Sequence, residues 1–306
     1  MSSKGSVRSF VKEITPGFLI SGVRAVQTAL QRTKLRGTRS VFREAPSTPN
    51  YLGMNELQHL QTKYPLLPEY GYDPRSIERR GFQRAKEILR LLGASSSKSY
   101  LELGCWDGMV SYFLQREGRQ TTAIDIRSEG LDGRAKREGV RFLQMDAEDL
   151  QFAEESFDCV FSYDAFEHFS HPDLVFRNAL RVLKQHGHLF LNFGPLYMSP
   201  FGQHAYRTIT VPYCQFLFPT SILHDFVAAK GLEPIDPNHV NGWPTTKYRK
   251  LWEEHSSSVN SIRYSESLNL AHLDLIKSYP ACFRSKTDSF DDLIVETMTA
   301  VFEKVQ

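Results

Sequence analysis

The chain has 306 residues, 41% of them hydrophobic and 24% charged, enough to bury a substantial core and to form one large domain with attachments. No apolar run approaches the roughly 20 residues that span a bilayer, and no short apolar block before a small-residue cleavage site marks a secretory signal. Four cysteines, at 105, 159, 214 and 282, lack C-x-x-C spacing, which argues against a zinc ribbon, a redox dithiol or a disulfide framework and favours a reducing cytoplasm.

The net charge of +2 is unevenly spread. Residues 1–44 hold nine basic residues (Lys4, Arg8, Lys12, Arg24, Arg32, Lys34, Arg36, Arg39, Arg43) against Glu13 and Glu44, so this arm is +7 and the remainder −5. Within it Phe10, Val11, Ile14, Phe18, Leu19, Val23, Val26 and Leu30 recur at near-helical intervals around Pro16-Gly17, a basic amphipathic segment. Three readings stay open: a helix docked on the domain, a peripheral contact with an anionic membrane, or a cleaved organelle transit peptide. No nucleic-acid partner is expected, because no binding module accompanies the charge.

Residues 45–75 contain Pro46, Pro49, Pro65, Pro68 and Pro74 and read as an irregular linker packing on the core. Ser76 is the expected N-cap of a helix whose apolar face is Ile77, Ala85, Ile88, Leu89 and Leu92, ended by Gly93. Arg79, Arg80 and Arg84 are expected on its solvated side. The apolar run Tyr100 to Leu103 then meets a Gly-bearing turn before Met109 to Leu114 resumes helical spacing, a strand–turn–helix that makes a ligand cradle. Gly104 and Gly108 can take backbone angles closed to other residues, and Glu102 puts a carboxylate at the strand's end. The dinucleotide fingerprint G-x-G-x-x-G is not met, since Trp106 and Asp107 stand where its second glycine and spacing belong.

A β-branched strand, Gln120 to Ile124, ends in Asp125, 21 residues beyond Gly104. In an α/β unit a carboxylate there points across the crevice at the ribose of a bound nucleoside. Charge-assisted hydrogen bonds contribute about 1.5–3 kcal/mol each, so Asp125 is expected to set ten- to hundredfold in affinity. Val140 to Met145 repeats the pattern and leads to Asp146. A fourth strand, Phe157 to Ser162, opens into Tyr163 to Phe169, and after a helix from Asp173 to Lys184 a fifth strand runs from His188 to Phe193.

Glu102, Gly104 and Gly108 resemble the first motif of the class I S-adenosylmethionine-dependent methyltransferases, acidic-x-Gly-x-Gly-x-Gly, with Trp106 in place of the middle glycine. The passage holding Ser162, Glu167, His168, Arg181 to Lys184 and Gly187 looks like that family's pattern S-x-x-x-x-E-H … R-V-L-K-x-x-G, with Gln185-His186 where Pro-Gly is commoner. The resemblance covers residues 76 to 193. It implies a doubly wound, mostly parallel, seven-stranded Rossmann-like sheet with the last strand antiparallel. It also implies S-adenosylmethionine as cofactor, with Asp146 near the adenine amine and Cys105, Ile126, Ala147 and Ser162 beside Glu102, Gly104, Gly108 and Asp125 in the cofactor site.

Beyond Phe193 an aromatic, irregular stretch from Gly194 to Tyr206 leaves the carboxyl end of the fifth strand and reads as a lid. A helix from Thr220 to Ala228, a strand from Leu232 to Val240, an aromatic loop from Asn241 to Trp252, a helical insertion near Ser256 to Lys277 and a last strand from Leu293 to Lys304 are expected. The methyltransferase domain is thus read as 76–306, with a helical and loop cap at about 194–219 and 241–289. The arm Ile14-Thr15-Pro16 … Arg24 and the lid Gly194-Pro195-Leu196-Tyr197 … Gly202-Gln203-His204 look like bacterial methyltransferases of sugar and surface-glycan assembly. The expected reaction is methyl transfer to an oxygen of a small-molecule or glycan-type acceptor. The rival classes are a fold member that binds S-adenosylmethionine without turnover and a nicotinamide-linked oxidoreductase. His204 is the expected general base, with His168 and Asp164 shaping the floor of the site. No metal-ligating set is expected, and the expected localisation is cytoplasmic, with peripheral membrane contact as one of the open readings of residues 1–44.

Overall fold

A computed structural model describes residues 33–66, 71–92, 98–205 and 207–305. The amphipathic stretch expected between Phe10 and Leu30, the helix terminator Gly93 and the lid residue Tyr206 lie outside them. The chain divides into two compact units, Met1–Asn50 with Leu270–Asp288, and Tyr51–Asn269 with Ser289–Gln306. In the first, residues 33–44 are helical and short helices run over Leu273–Ser278 and Pro280–Arg284. Phe42 is buried with the Arg284 guanidinium 5.7 Å from its ring centroid, and Lys34 Nζ stands 4.0 Å from Asp274. Among the described residues no helix is long and apolar enough to cross a membrane.

The second unit is built on one sheet. Its strands are β1 (Ser99–Leu103), β2 (Gln120–Asp125), β3 (Arg141–Gln144), β4 (Phe157–Tyr163), β5 (Leu183–Phe193), β6 (Val259–Leu268) and β7 (Val295–Lys304), in the order β3-β2-β1-β4-β5-β7-β6. The first five are parallel, in registers such as Leu103 opposite Ile124 and Glu102 opposite Phe161. β1 and β4 are buried on both faces because helices cover both sides of a parallel sheet. The chain leaves β1 and turns to opposite sides on reaching β2 and β4, so a crevice opens at the carboxyl ends of these strands. β7 runs antiparallel to β5 and β6 antiparallel to β7, completing the seven-stranded Rossmann-like sheet.

Five local expectations are corrected. The stretch 45–75 contains a helix, Met54–Lys63, that buries Leu57 and Leu60 and whose Gln61 Nε2 donates to the Thr208 carbonyl. The prolines flank this helix rather than interrupt it. The next helix is Pro74–Leu92, and Asp73 rather than Ser76 caps it, accepting from the Arg75 and Ser76 amides at 3.1 Å. The insertion expected as helical near 256–277 is largely β6, an edge strand that buries only Val259 and so shows no apolar alternation. The stretch 232–240 is not a strand: only Ile235 and Val240 are buried, and among the described residues it pairs with no strand of the sheet. At the end of the chain a short helix, Phe290–Ile294, takes the first two residues expected in the last strand.

An aromatic cluster fixes helix Thr245–Glu254 against the sheet. Phe176 lies 5.1 Å from Trp252, 5.6 Å from Phe302 and 5.0 Å from His255 between ring centroids and is fully buried. Phe176→Ala should cost about 3–5 kcal/mol of stability. Urea unfolding checks this, and an unchanged midpoint would show that the cluster is not part of the cooperative core.

Candidate functional site

The β1 turn is shaped by three left-handed backbone positions in five residues: Gly104 (φ 66°), Trp106 (45°) and Gly108 (68°). A Cβ on Gly104 would stand 2.6 Å from the Ala165 Cβ, and one on Gly108 would stand 2.2 Å from Leu131 Cδ1, so packing as well as conformation requires glycine at both. Trp106 adopts the conformation that glycine would supply, and its ring, 52% exposed, turns outward. Gly108 precedes helix Met109–Arg116, and Asp107 Oδ1 accepts from the Met109 amide at 2.9 Å.

Glu102 does not face the crevice. Its Oε2 accepts from the Ser111 amide (3.2 Å) and hydroxyl (2.6 Å), bracing the turn from behind. Burial pushes its carboxyl up to about 8 despite these hydrogen bonds. Ser162 is likewise internal, its hydroxyl donating to the Leu103 carbonyl at 3.0 Å, and Cys105 and Ala147 are buried. At the tip of β2, Asp125 is only 7% exposed, yet its carboxylate accepts from the Trp106 amide (3.0 Å) and from Arg127 Nε and Nη2 (2.9 and 3.0 Å). Burial opposes the charge, but the Arg127 and amide bonds hold the carboxyl below its usual range. The Arg127 guanidinium also lies 3.7 Å from the Trp106 ring centroid. Ile126 is exposed, and Asp146 is exposed beside it, since Gln144 donates to the Ile126 carbonyl and Met145 to that of Asp125. Gly104, Asp125, Ile126 and Asp146 thus share one edge of the crevice.

The far side of the crevice begins at the end of β4. Asp164 is ion-paired with Arg84, whose guanidinium lies 4.7 Å from the Tyr163 ring centroid, and Arg80 stands 3.9 Å from Asp107. These two arginines therefore turn toward the turn and the β4 end instead of lying on the solvated helix face. Glu167 is buried, its Oε1 accepting from the Gly194 amide at 3.0 Å, and burial lifts its carboxyl to about 8. His168 and His204 come together, 5.1 Å between ring centroids, with His239 4.6 and 5.4 Å from them. Burial lowers both: His168 below its usual value and His204 to about 4, so each imidazole is neutral near pH 7. The spacing of strand ends carried no signal for Arg84, Arg127 or His239, because each reaches the site from a helix or loop.

The family described as "Methyltransferase domain" matches residues 101–191. A fatty-acid O-methyltransferase of Mycolicibacterium smegmatis is 31% identical over 114 residues, 35% of this chain and 42% of that one. A ubiquinone biosynthesis O-methyltransferase of Photorhabdus laumondii is 24% identical over 155 residues, 49% of this chain and 65% of that one. The chain thus spans about half the length of the curated relatives it matches. The solved structure of the PH0226 protein of Pyrococcus horikoshii aligns at a TM-score of 0.47 and 17% identity, over 78% of this chain and 96% of that one.

The buried acids and histidines have opposite effects on stability. Above 4.5 an unfolded Glu102 loses its proton while the folded carboxyl keeps it up to about 8, so this group's contribution falls as pH rises through that interval. His204, at about 4 against an ordinary 6.5, makes stability fall as pH drops through its own interval. Among these groups only the carboxyls act between pH 6.5 and 8, so the unfolding free energy from urea titrations should decline over that range, by about 1.4 kcal/mol per pH unit for each carboxyl. Glu102→Gln should flatten the decline; an unaltered slope would mean that the Glu102 carboxyl is already ionised at pH 6.5.

Proposed function

Because residues 101–191 match the family described as "Methyltransferase domain" and carry the motifs that resemble the class I S-adenosylmethionine-dependent enzymes, we propose that the chain transfers a methyl group to an oxygen of a small-molecule or glycan-type acceptor. The observation that carries this reading is a convergence at the strand ends. The bare turn Gly104 to Gly108, the charged Asp125 and Asp146 tips, and the neutral pair His168 and His204 meet around one crevice. The names of the relatives, O-methyltransferases of a fatty acid and of ubiquinone biosynthesis, support oxygen as the acceptor atom.

The residues fit the cofactor. Trp106 keeps the left-handed backbone of the glycine it replaces, so the turn retains its shape. Asp125, held ionised, is the group for the ribose hydroxyls, which would replace Arg127 N–H groups on its carboxylate; Asp146 and Ile126 lie where the base would rest, with Ala147 and Cys105 lining behind. Glu102 and Ser162 act by bracing the turn. S-adenosylmethionine supplies an already activated sulfonium methyl, so the chain's task is alignment of the acceptor and removal of its proton. His204 is assigned to the acceptor hydroxyl, His168 to its support. Asp164, neutralised by Arg84, forms the floor.

Asp125→Ala should weaken S-adenosylmethionine binding at least about tenfold in a folded protein, as read by calorimetry; unchanged affinity would remove this residue from the cofactor site. With an acceptor found by a labelled-methyl screen, His204→Ala should lower kcat by about 10²–10⁴ with cofactor affinity nearly intact, and a change below about tenfold would reject its assignment. The basic arm is assigned to an anionic membrane surface, at about 1 kcal/mol per basic side chain. Deleting residues 1–44 should then abolish co-sedimentation with phosphatidylserine liposomes, whereas no binding by the intact chain would exclude the contact.

A further inference from the structure

We propose that His168, His204 and His239 form a binding site for a divalent cation of the zinc class. The site rests on the three side chains and stands whether or not the chain methylates an acceptor. One nitrogen from each ring lies within 4.8 Å of the other two. The ring centroids are 4.6, 5.1 and 5.4 Å apart, at interplanar angles of 60°, 80° and 70°. A tetrahedral zinc with nitrogens at about 2.0–2.1 Å sets three imidazole centroids roughly 5 Å apart, with their donor nitrogens about 3.4 Å apart. The rings already have the required spacing, and a small approach of the exposed His239 closes the nitrogens onto an ion.

The tautomers of two rings are fixed by backbone carbonyls. His168 Nδ1 lies 2.6 Å from the His239 carbonyl, and His204 Nε2 lies 2.9 Å from the Pro195 carbonyl. A carbonyl only accepts, so both nitrogens carry the proton and the lone pairs sit on His168 Nε2 and His204 Nδ1. A ring that donates its second N–H to a backbone carbonyl is the usual support of a metal-bound histidine. The His239 loop is fastened at the same place, because the Asn241 amide donates to the Glu167 carbonyl at 2.9 Å and the Asn241 side chain to the Phe166 carbonyl. Glu167 adds an electrostatic reason: its Oε1 is 3.9 Å from His168 Nε2 and its Oε2 is buried without a hydrogen-bond partner. A cation on the histidines gives that buried carboxyl a countercharge.

Three imidazole nitrogens select zinc, cobalt, nickel or copper over magnesium and calcium, which demand oxygen ligands. Three protein ligands leave a fourth position. His204 and His239 line a cavity of about 230 Å³ that Glu233 and Asp236 also border, and the fourth position can open onto it. With the ion bound both His204 nitrogens are engaged, so the assignment of His204 as base is that of the metal-free protein, and an acceptor hydroxyl on the ion would lose its proton more readily than in water.

The test uses the full chain, stripped of metal with a chelator and titrated with Co²⁺ while visible absorption is recorded. One equivalent should bind with the strong visible bands of a tetrahedral ion and be displaced by Zn²⁺. His239→Ala and His204→Ala should each weaken Co²⁺ binding at least about 100-fold, beyond the range of changes in supporting residues. His186→Ala, at an exposed position paired with Glu303, should leave it unaltered. His239→Ala lies on an exposed loop and carries the test even if a buried histidine variant fails to fold. Absence of stoichiometric Co²⁺ binding, or binding that survives His239→Ala, would overturn the site. S-adenosylmethionine calorimetry on the same samples separates the two readings. Co²⁺ binding without cofactor binding leaves the metal site and removes the methyltransferase, and the reverse result does the opposite.

Discussion

The Asp125 carboxylate ties the end of β2 to the turn that follows β1, and the geometry of the crevice depends on that tie. One oxygen accepts the Trp106 amide, in the middle of a turn with three left-handed residues. The same carboxylate gathers Arg127 from its own loop. An amide in so tight a turn has no helix or ladder partner, and a buried unpaired amide is costly. A charged acceptor from the neighbouring strand meets that need and fixes the two strand ends relative to each other. On the other side of β1, Ser162 performs a related task toward the Leu103 carbonyl, and Glu102 holds the following helix through Ser111. Several residues that resemble cofactor ligands in the linear sequence are therefore part of the frame that shapes the cofactor's place.

How much of this was legible before the structure depends on how each segment is stabilised. β1, β2, β4 and β5 are buried on both faces, and their apolar runs and following glycines or acids announce them. β6 could not be read the same way. It is an edge strand with one buried residue, so its ladder to β7 comes from backbone hydrogen bonds that leave no periodic trace in side-chain chemistry. The Met54–Lys63 helix was hidden by flanking prolines, which mark its ends as readily as they mark a loop. Residues 232–240 are apolar enough for a strand but are held by contacts near Asn241 instead of by a sheet.

The site divides in the same manner. Gly104, Asp125 and Asp146 were legible because they sit at strand ends, whose positions follow from the period of the strands. His168 and His204 were visible as individual titratable residues. Their conjunction with His239 was not, since the three come from the β4 loop, the lid and an irregular stretch separated by more than thirty residues each. Arg84 was assigned to solvent by its helical phase, yet a long side chain at the helix border reaches Asp164 and the face of Tyr163. Loops and long side chains bring together what linear spacing keeps apart.

Trp106, the one large residue in a turn made for glycines, gives the cofactor end a property that glycine would not. Its indole face holds the Arg127 guanidinium at the same time as Asp125 does. On the proposed assignment of Asp125 to the ribose, a ribose that displaced the guanidinium from the carboxylate would leave the Arg127 side chain its seat on the ring instead of releasing it into solvent as a disordered charge. Entry of the nucleoside would then be an exchange of partners at Asp125, with Arg127 retained as a ready counterion to take the carboxylate back when the nucleoside left.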